Sequence, residues 1–145
     1  MFTGWTPLGD PMSEQPACLF VCVHNAGRSQ MAAAWVGALT EGRIEAASAG
    51  TEPAHRVNPV VREAMAEVGV ELDATPRMLT DDLAQGIGRV ISMGCSIEQA
   101  CPGLRADEDW GLADPAGAPL VEVRRVRDEI RSRVEALLSG GRLDG

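Results

Sequence analysis

The chain has no lysine and no tyrosine, and aromatic residues make up only 3% of it. Without lysine it cannot carry a Walker-type nucleotide loop, because that loop needs a lysine to reach the terminal phosphates. With so few rings, the core has to be built from Val, Ile, Leu, Ala and Met. No stretch approaches 18 consecutive apolar residues, and no basic N-terminal segment precedes an apolar one. Neither a membrane-spanning helix nor a secretory leader is therefore expected, and a cytoplasmic protein is. Positive charge is also scarce: 13 arginines face 21 acidic residues, for a formal net charge of −8. That balance argues against general binding to nucleic acid or to an anionic membrane, so an anionic ligand would need a local positive site. The 145 residues suffice for one domain with its own core and no disulfide or metal staples. Four cysteines in a reducing compartment read as catalytic, metal-binding or buried rather than permanently bridged.

What is present centres on residues 18–32, CLFVCVHNAGRSQMA. An apolar run reads as a buried strand over Ala17 to Val23, a short polar turn follows, and Ser29 is placed to cap a helix running to about Leu39. Cys22 and Arg28, with five residues between them, stand at the two ends of that turn. Backbone N–H groups of Val23, His24, Asn25, Ala26, Gly27 and Arg28, closing on a helix N-terminus, form a cradle for a tetrahedral oxyanion. The same field favours ionised sulfur at Cys22, the nucleophilic form of the thiol. Arg28 brings a planar fork able to hold two oxygens of the anion at once, which an ammonium group cannot do. Ser29 can also donate its hydroxyl to the Cys22 sulfur. His24 either tunes that sulfur or is a polar loop side chain, and His55 reads as a surface residue.

The rest of the chain alternates strands and helices. Residues 1–15 read as a disordered lead in which Trp5 is loose and Met12 offers an alternative start, 16–139 as one domain, and 140–145 as a tail. Strands are expected at Ile44 to Ser48, Arg89 to Met93 and near Ala106 to Asp109. Asn58 followed by Pro59 predicts a helix start, with Val60, Val61, Ala64, Met65 and Val68 at helical spacing until Gly69. A short helix begins at Thr80, and Leu120 to about Leu138 carries a helical stripe through Val123, Val126, Ile130, Val134 and Leu137. This order predicts an α/β fold with a small four-stranded parallel sheet flanked by helices on both faces, and a ligand site beyond the carboxyl ends of the strands. Cys18 falls in the central strand as a core residue.

A second constellation, Cys95 to Pro102, follows the third strand. Two thiols there, near a nucleophilic thiol after another strand, suggest successive thiol–disulfide exchanges. Were Cys95 to Cys101 helical, their Cα atoms would stand about 9 Å apart along the axis. A disulfide tolerates no more than about 7 Å, so the segment would have to bend or unwind between Gly94 and Pro102. Zinc is not expected, because Cys18-x3-Cys22 and Cys95-x5-Cys101 lack the usual spacing and the first pair sits in a strand. Asp114, in the turn Asp114-Pro115-Ala116-Gly117, is the candidate general acid for a departing oxygen. Asp107 and Asp109 look like solvated loop charges.

Cys22 to Ala32, Ser48-Ala49-Gly50, Asn58-Pro59, Met93-Gly94-Cys95, Cys101-Pro102, Trp110-Gly111 and Asp114-Pro115-Ala116-Gly117 occur in one order. Together they resemble the arsenate reductases built on the low-molecular-weight tyrosine phosphatase fold, from about Ala17 to Leu138. The resemblance implies that Cys22 attacks arsenate held by the loop and Arg28, with Asp114 assisting loss of an oxygen. Cys95 then attacks the Cys22 sulfur and arsenite leaves, Cys101 takes over the disulfide, and thioredoxin reduces it. It also implies a monomer with no tightly bound cofactor. Members with a potassium ion use an Asn in the loop and a Glu in the first helix; here Asn25 is present but Ala33 holds the Glu position. A related branch uses mycothiol and a mycoredoxin as reductant. A phosphotyrosine phosphatase of the same fold would use Cys22, Arg28 and Asp114 identically, but such enzymes place aromatic residues beside the Asp-Pro turn, where this chain has Ala116-Gly117. A non-catalytic oxyanion-binding module is disfavoured by the complete set of reactive residues.

Overall fold

In a computed structural model of the chain, which describes residues 16–72, 74–95, 97–101 and 103–140, the apolar run becomes strand β1 (Cys18–Cys22), with all five residues buried. A continuous apolar signal, rather than an alternating one, marks a strand covered on both faces. Cys18, Phe20 and Cys22 join Met31, Trp35, Ile91 and Val134 in one core layer. Leu19 and Val21 turn to the other layer, with Ala49, Leu79, Val90 and Ile97. The remaining strands are β2 (Ala46–Gly50), β3 (Val90–Ser92) and β4 (Glu108–Asp109). They form the expected four-stranded parallel sheet, in the order β2-β1-β3-β4. Because chain-consecutive strands lie on opposite sides of β1, the loops leaving the sheet diverge at its carboxyl end and open a crevice there.

Helices α1 (Arg28–Leu39), α2 (Pro59–Ala66) and α5 (Leu120–Ser139) cover one face. The short α3 (Asp81–Ala84) and α4 (Ile97–Ala100) contribute Ala84 and Ile97 to the other. Asn58 caps α2 as expected, its Oδ1 accepting the Val60 N–H at 2.9 Å with Pro59 at the first helical position. Gly69, at φ +80°, occurs where that helical segment gives way. In α5 the expected stripe is inward, with Val123, Ile130, Val134 and Leu137 buried. Each such side chain contributes about 1.5–3 kcal/mol of transfer free energy. Polar contacts fix how α5 lies: Trp35 Nε1 donates to the Arg127 carbonyl at 3.2 Å, and Arg127 Nη1 donates to the Ala64 carbonyl at 2.8 Å and to Glu67 at 3.0 Å. No helix among the described residues is long and apolar enough to cross a membrane.

Two local expectations are corrected, and one left conditional is decided. The second strand runs Ala46–Gly50, not Ile44 to Ser48, because the turn closing α1 still holds Ile44, whose N–H donates to Thr40 Oγ1 at 3.1 Å. Ser29 is not the helix cap: α1 starts at Arg28 behind Gly27 and has no side-chain cap, so the Ser29 hydroxyl is spent elsewhere. Neither Cys95 nor Cys101 is helical, since α4 occupies only Ile97–Ala100 between them. The lead with Trp5 and Met12, Pro102 and residues 141–145 lie outside the described residues.

Candidate active site

The crevice at the end of β1 holds the turn from Cys22 to Arg28. Its carbonyls face outward: those of Cys22, Val23, His24 and Ala26 accept from Thr51, Glu52, Ala54 and Asn58 at 3.1, 2.7, 2.9 and 2.9 Å. All peptides here are trans, and a trans peptide points its N–H opposite its carbonyl, so the intervening amides turn toward the loop centre. Backbone amides turned inward in this way are a geometry that can hold an oxyanion. Gly50 makes room for it. A Cβ there would stand 2.7 Å from the Val23 carbonyl oxygen and 2.9 Å from the Asn25 nitrogen.

Asn25 holds the turn from inside. It is fully buried with φ +49°, a conformation that Asn tolerates better than most residues. Its Nδ2 donates to Ser29 Oγ at 2.7 Å, and its Oδ1 accepts the Arg77 N–H at 2.9 Å and a longer contact from Gln30 Nε2 at 3.4 Å. Ser29 Oγ lies 2.9 Å from Cys22 Sγ. With Asn25 donating to its oxygen, Ser29 has its one proton free for the sulfur, and an ionised sulfur can only accept. The Ser29 hydroxyl is thus engaged with Asn25 and the Cys22 sulfur instead of capping the helix.

Arg28 is 5% exposed and divides its donors. Nη1 donates to the Leu112 carbonyl at 3.0 Å, Nη2 lies 3.7 Å from Asp114 Oδ2, and the buried Nε has no partner among the described residues. A buried donor left open costs about 1–3 kcal/mol, which an incoming oxyanion would relieve. Asp114 is held over the loop by its own turn, Oδ1 accepting the Ala116 N–H at 3.0 Å. Cys22, His24, Arg28, Asn58, Asp114 and Pro115 line one small cavity. The structure therefore brings Cys22, Arg28, Ser29 and Asp114 together. His24 is exposed, with Nδ1 3.1 Å from the Glu52 carbonyl oxygen rather than on the sulfur.

Cys95 follows β3 at the same edge, its Sγ donating to the Val21 carbonyl at 3.4 Å. Gly94 before it has φ +85°, and a Cβ on it would meet Arg28 Nη1 at 2.8 Å, so the two loops touch. Burial raises the Cys95 thiol above its ordinary value, helped by Cys22 and Asp109 and opposed by a Met93 hydrogen bond and Arg28. Cys101 is buried at the carboxyl end of α4, with Sγ 3.8 Å from the Leu79 carbonyl oxygen. Burial and Asp81 raise that thiol as well. All four cysteines are free, and burial pushes Cys18 up to about 12, which suits an inert core residue. Among the described residues no cluster of three or more His, Cys, Asp or Glu is arranged to hold a metal.

Asp107 and Asp109 are exposed, as expected, but each makes hydrogen bonds that sequence reasoning missed. Asp107 Oδ2 accepts the Val90 N–H at 2.8 Å. Asp109 accepts from Ser92 Oγ at 2.6 Å and from the Gly94 N–H at 3.2 Å through one oxygen. Its place at the carboxyl end of a predicted strand was the available signal.

The profile of the low molecular weight phosphotyrosine protein phosphatase family matches residues 17–144. The arsenate reductase of Staphylococcus aureus strain Newman is 37% identical over 120 residues, covering 80% of this chain and 91% of that protein. Among solved structures, the thioredoxin-dependent arsenate reductase of Corynebacterium glutamicum superposes with a TM-score of 0.73 at 35% identity. That match covers 88% of this chain, which spans 62% of the longer relative. An arsenate reductase in its phosphate-binding state gives a TM-score of 0.73 at 33% identity, covering 87% of this chain and 98% of its own.

Proposed function

The chain belongs to the low molecular weight phosphotyrosine protein phosphatase family, and from that premise we propose that it reduces arsenate to arsenite. Relatives named arsenate reductases support this. The observation that carries it is a second thiol, Cys95, hydrogen-bonded to Val21 beside the loop that ends on Arg28. Hydrolysis of a phosphate ester has no use for that thiol.

In the proposed sequence the Cys22 sulfur attacks arsenic in arsenate seated on the loop amides and Arg28, and an oxygen leaves as water with a proton from Asp114. Cys95 then attacks the Cys22 sulfur. The sulfur–arsenic pair stays on arsenic, releasing arsenite and leaving a Cys22–Cys95 disulfide. Cys101 attacks Cys95 in turn and frees Cys22. Cys101 is buried against Leu79 and α4 separates the two thiols in sequence, so in this reading α4 unwinds for the last step. The Cys95–Cys101 disulfide is reduced by a thioredoxin dithiol, the donor named for the Corynebacterium glutamicum relative. The protein acts as a cytoplasmic monomer in this reading. No alkali cation enters, since Arg77 and Gln30 already approach Asn25 Oδ1 and Ala33 offers no carboxylate.

The test is arsenate-dependent NADPH consumption with thioredoxin and thioredoxin reductase. Turnover should vanish in Cys22→Ser and Cys95→Ser, while Cys101→Ser completes one turnover and stalls. Turnover with mycothiol and mycoredoxin alone would replace the donor, and aryl phosphate hydrolysis without arsenate reduction would replace the reaction.

A further inference from the structure

Asp109 occupies the end of β4, across β3 from the nucleophile loop. The parallel register pairs Val21 with Ser92 and Ser92 with Asp109, so the carboxylate stands two strands from β1 at the level where the loops begin. One oxygen, Oδ1, accepts both Ser92 Oγ–H at 2.6 Å and Gly94 N–H at 3.2 Å. These donors bracket Met93, and Gly94 is the left-handed residue lying against Arg28. Cys95 comes next. Asp109 and Cys95 also line the same cleft of about 530 Å³, together with Glu52, Thr51 and Gln99.

We propose that Asp109 is a positioning residue for the second thiol: by clamping Ser92 and Gly94 its carboxylate fixes the turn that presents Cys95 to the Cys22 sulfur. Thiolate attack on sulfur needs near-linear approach and short range, and a misplacement of about 1 Å can cost roughly 100-fold. A turn made of a left-handed glycine has little stiffness of its own, so the clamp supplies it. The charge of the clamp has a second effect. The charged or titratable groups facing Cys95 are Cys22 at the end of β1, Arg28 at the start of α1, Glu52 from the loop after β2, and Asp109 itself. Asp109 therefore disfavours the Cys95 thiolate while it holds the turn in place.

The inference rests on the proposed attack of Cys95 on Cys22, but it can be read without arsenate. Diamide, a two-electron oxidant, takes the two thiol hydrogens and becomes the hydrazine as the Cys22–Cys95 disulfide forms. The full chain would be compared with Asp109→Asn, which keeps an accepting Oδ1 and loses the charge, and Asp109→Ala, which loses both. Disulfide formation, located by peptide mass spectrometry, should slow at least about tenfold in Asp109→Ala and stay within about threefold in Asp109→Asn. The pH midpoint for alkylation of Cys95 should fall in Asp109→Asn, because the carboxylate that disfavours the thiolate is gone. An unchanged rate in Asp109→Ala would overturn the proposal. So would an Asp109→Asn protein as slow as Asp109→Ala, or an unmoved midpoint in a folded Asp109→Asn protein. Failure of arsenate reduction with these results intact would instead count against the proposed reaction.

Discussion

Gly94→Ala tests how the two loops are joined. Gly94 sits at φ +85°, where a side chain costs about 1–2 kcal/mol, and its Cβ would lie 2.8 Å from Arg28 Nη1. The clash is with the tip of a long side chain, so the guanidinium gives way before the backbone does. Arg28 then loses its 3.0 Å bond to the Leu112 carbonyl, and its open Nε swings off the loop axis. A hydrogen bond to a charged group contributes about 1.5–3 kcal/mol, which corresponds to roughly 10–150-fold in oxyanion affinity. Gly69 is the control: its φ of +80° carries the same backbone strain, but nothing lies within 4 Å of its Cβ position. Urea unfolding should show both alanine variants destabilised by about 1–2 kcal/mol. Calorimetric titration with inorganic phosphate, an unreactive oxyanion, should show binding weakened only in Gly94→Ala. Equal phosphate affinity in the two variants would refute the argument that Gly94 is small because Arg28 needs the space.

Two further outcomes follow from the charges. Cys22→Ser removes a neighbour that raises the Cys95 thiol, so the alkylation midpoint of Cys95 should move to lower pH; a fixed midpoint would mean the two sulfurs do not sense each other. Glu67 is held down to about 2 by its bonds to Arg124 and Arg127. A carboxylate held lower when folded adds stability above its unfolded value, near 4.5, and that stability is lost as pH falls toward 2. Glu67→Gln should therefore lower the melting temperature at pH 7, with the gap to the parent chain closing between pH 4.5 and 2.

The elements that were legible in the sequence are those whose cause is local. An unbroken apolar run specified the buried β1, and Asn58-Pro59 specified the start of α2, since both signals act within a few residues. The turn from Cys22 to Arg28 was legible for the same reason: five residues between a strand and a helix can close in few ways. Ile44 and Ser29 went astray at boundaries, where a turn competes for the same backbone or side-chain group.

By itself, then, the sequence determined the α/β alternation and the place of the turn from Cys22 to Arg28 between a buried strand and a helix. Only the tertiary structure decided which distant residues complete them. Gly94 against Arg28, Leu112 as its carbonyl partner, Asp109 on the Cys95 turn and Cys101 beneath Leu79 are contacts between loops that leave different strands. No local period encodes them. They exist because the order β2-β1-β3-β4 and its parallel register bring the carboxyl ends of β1, β3 and β4 side by side, and strand order is set by burial summed over the whole sheet.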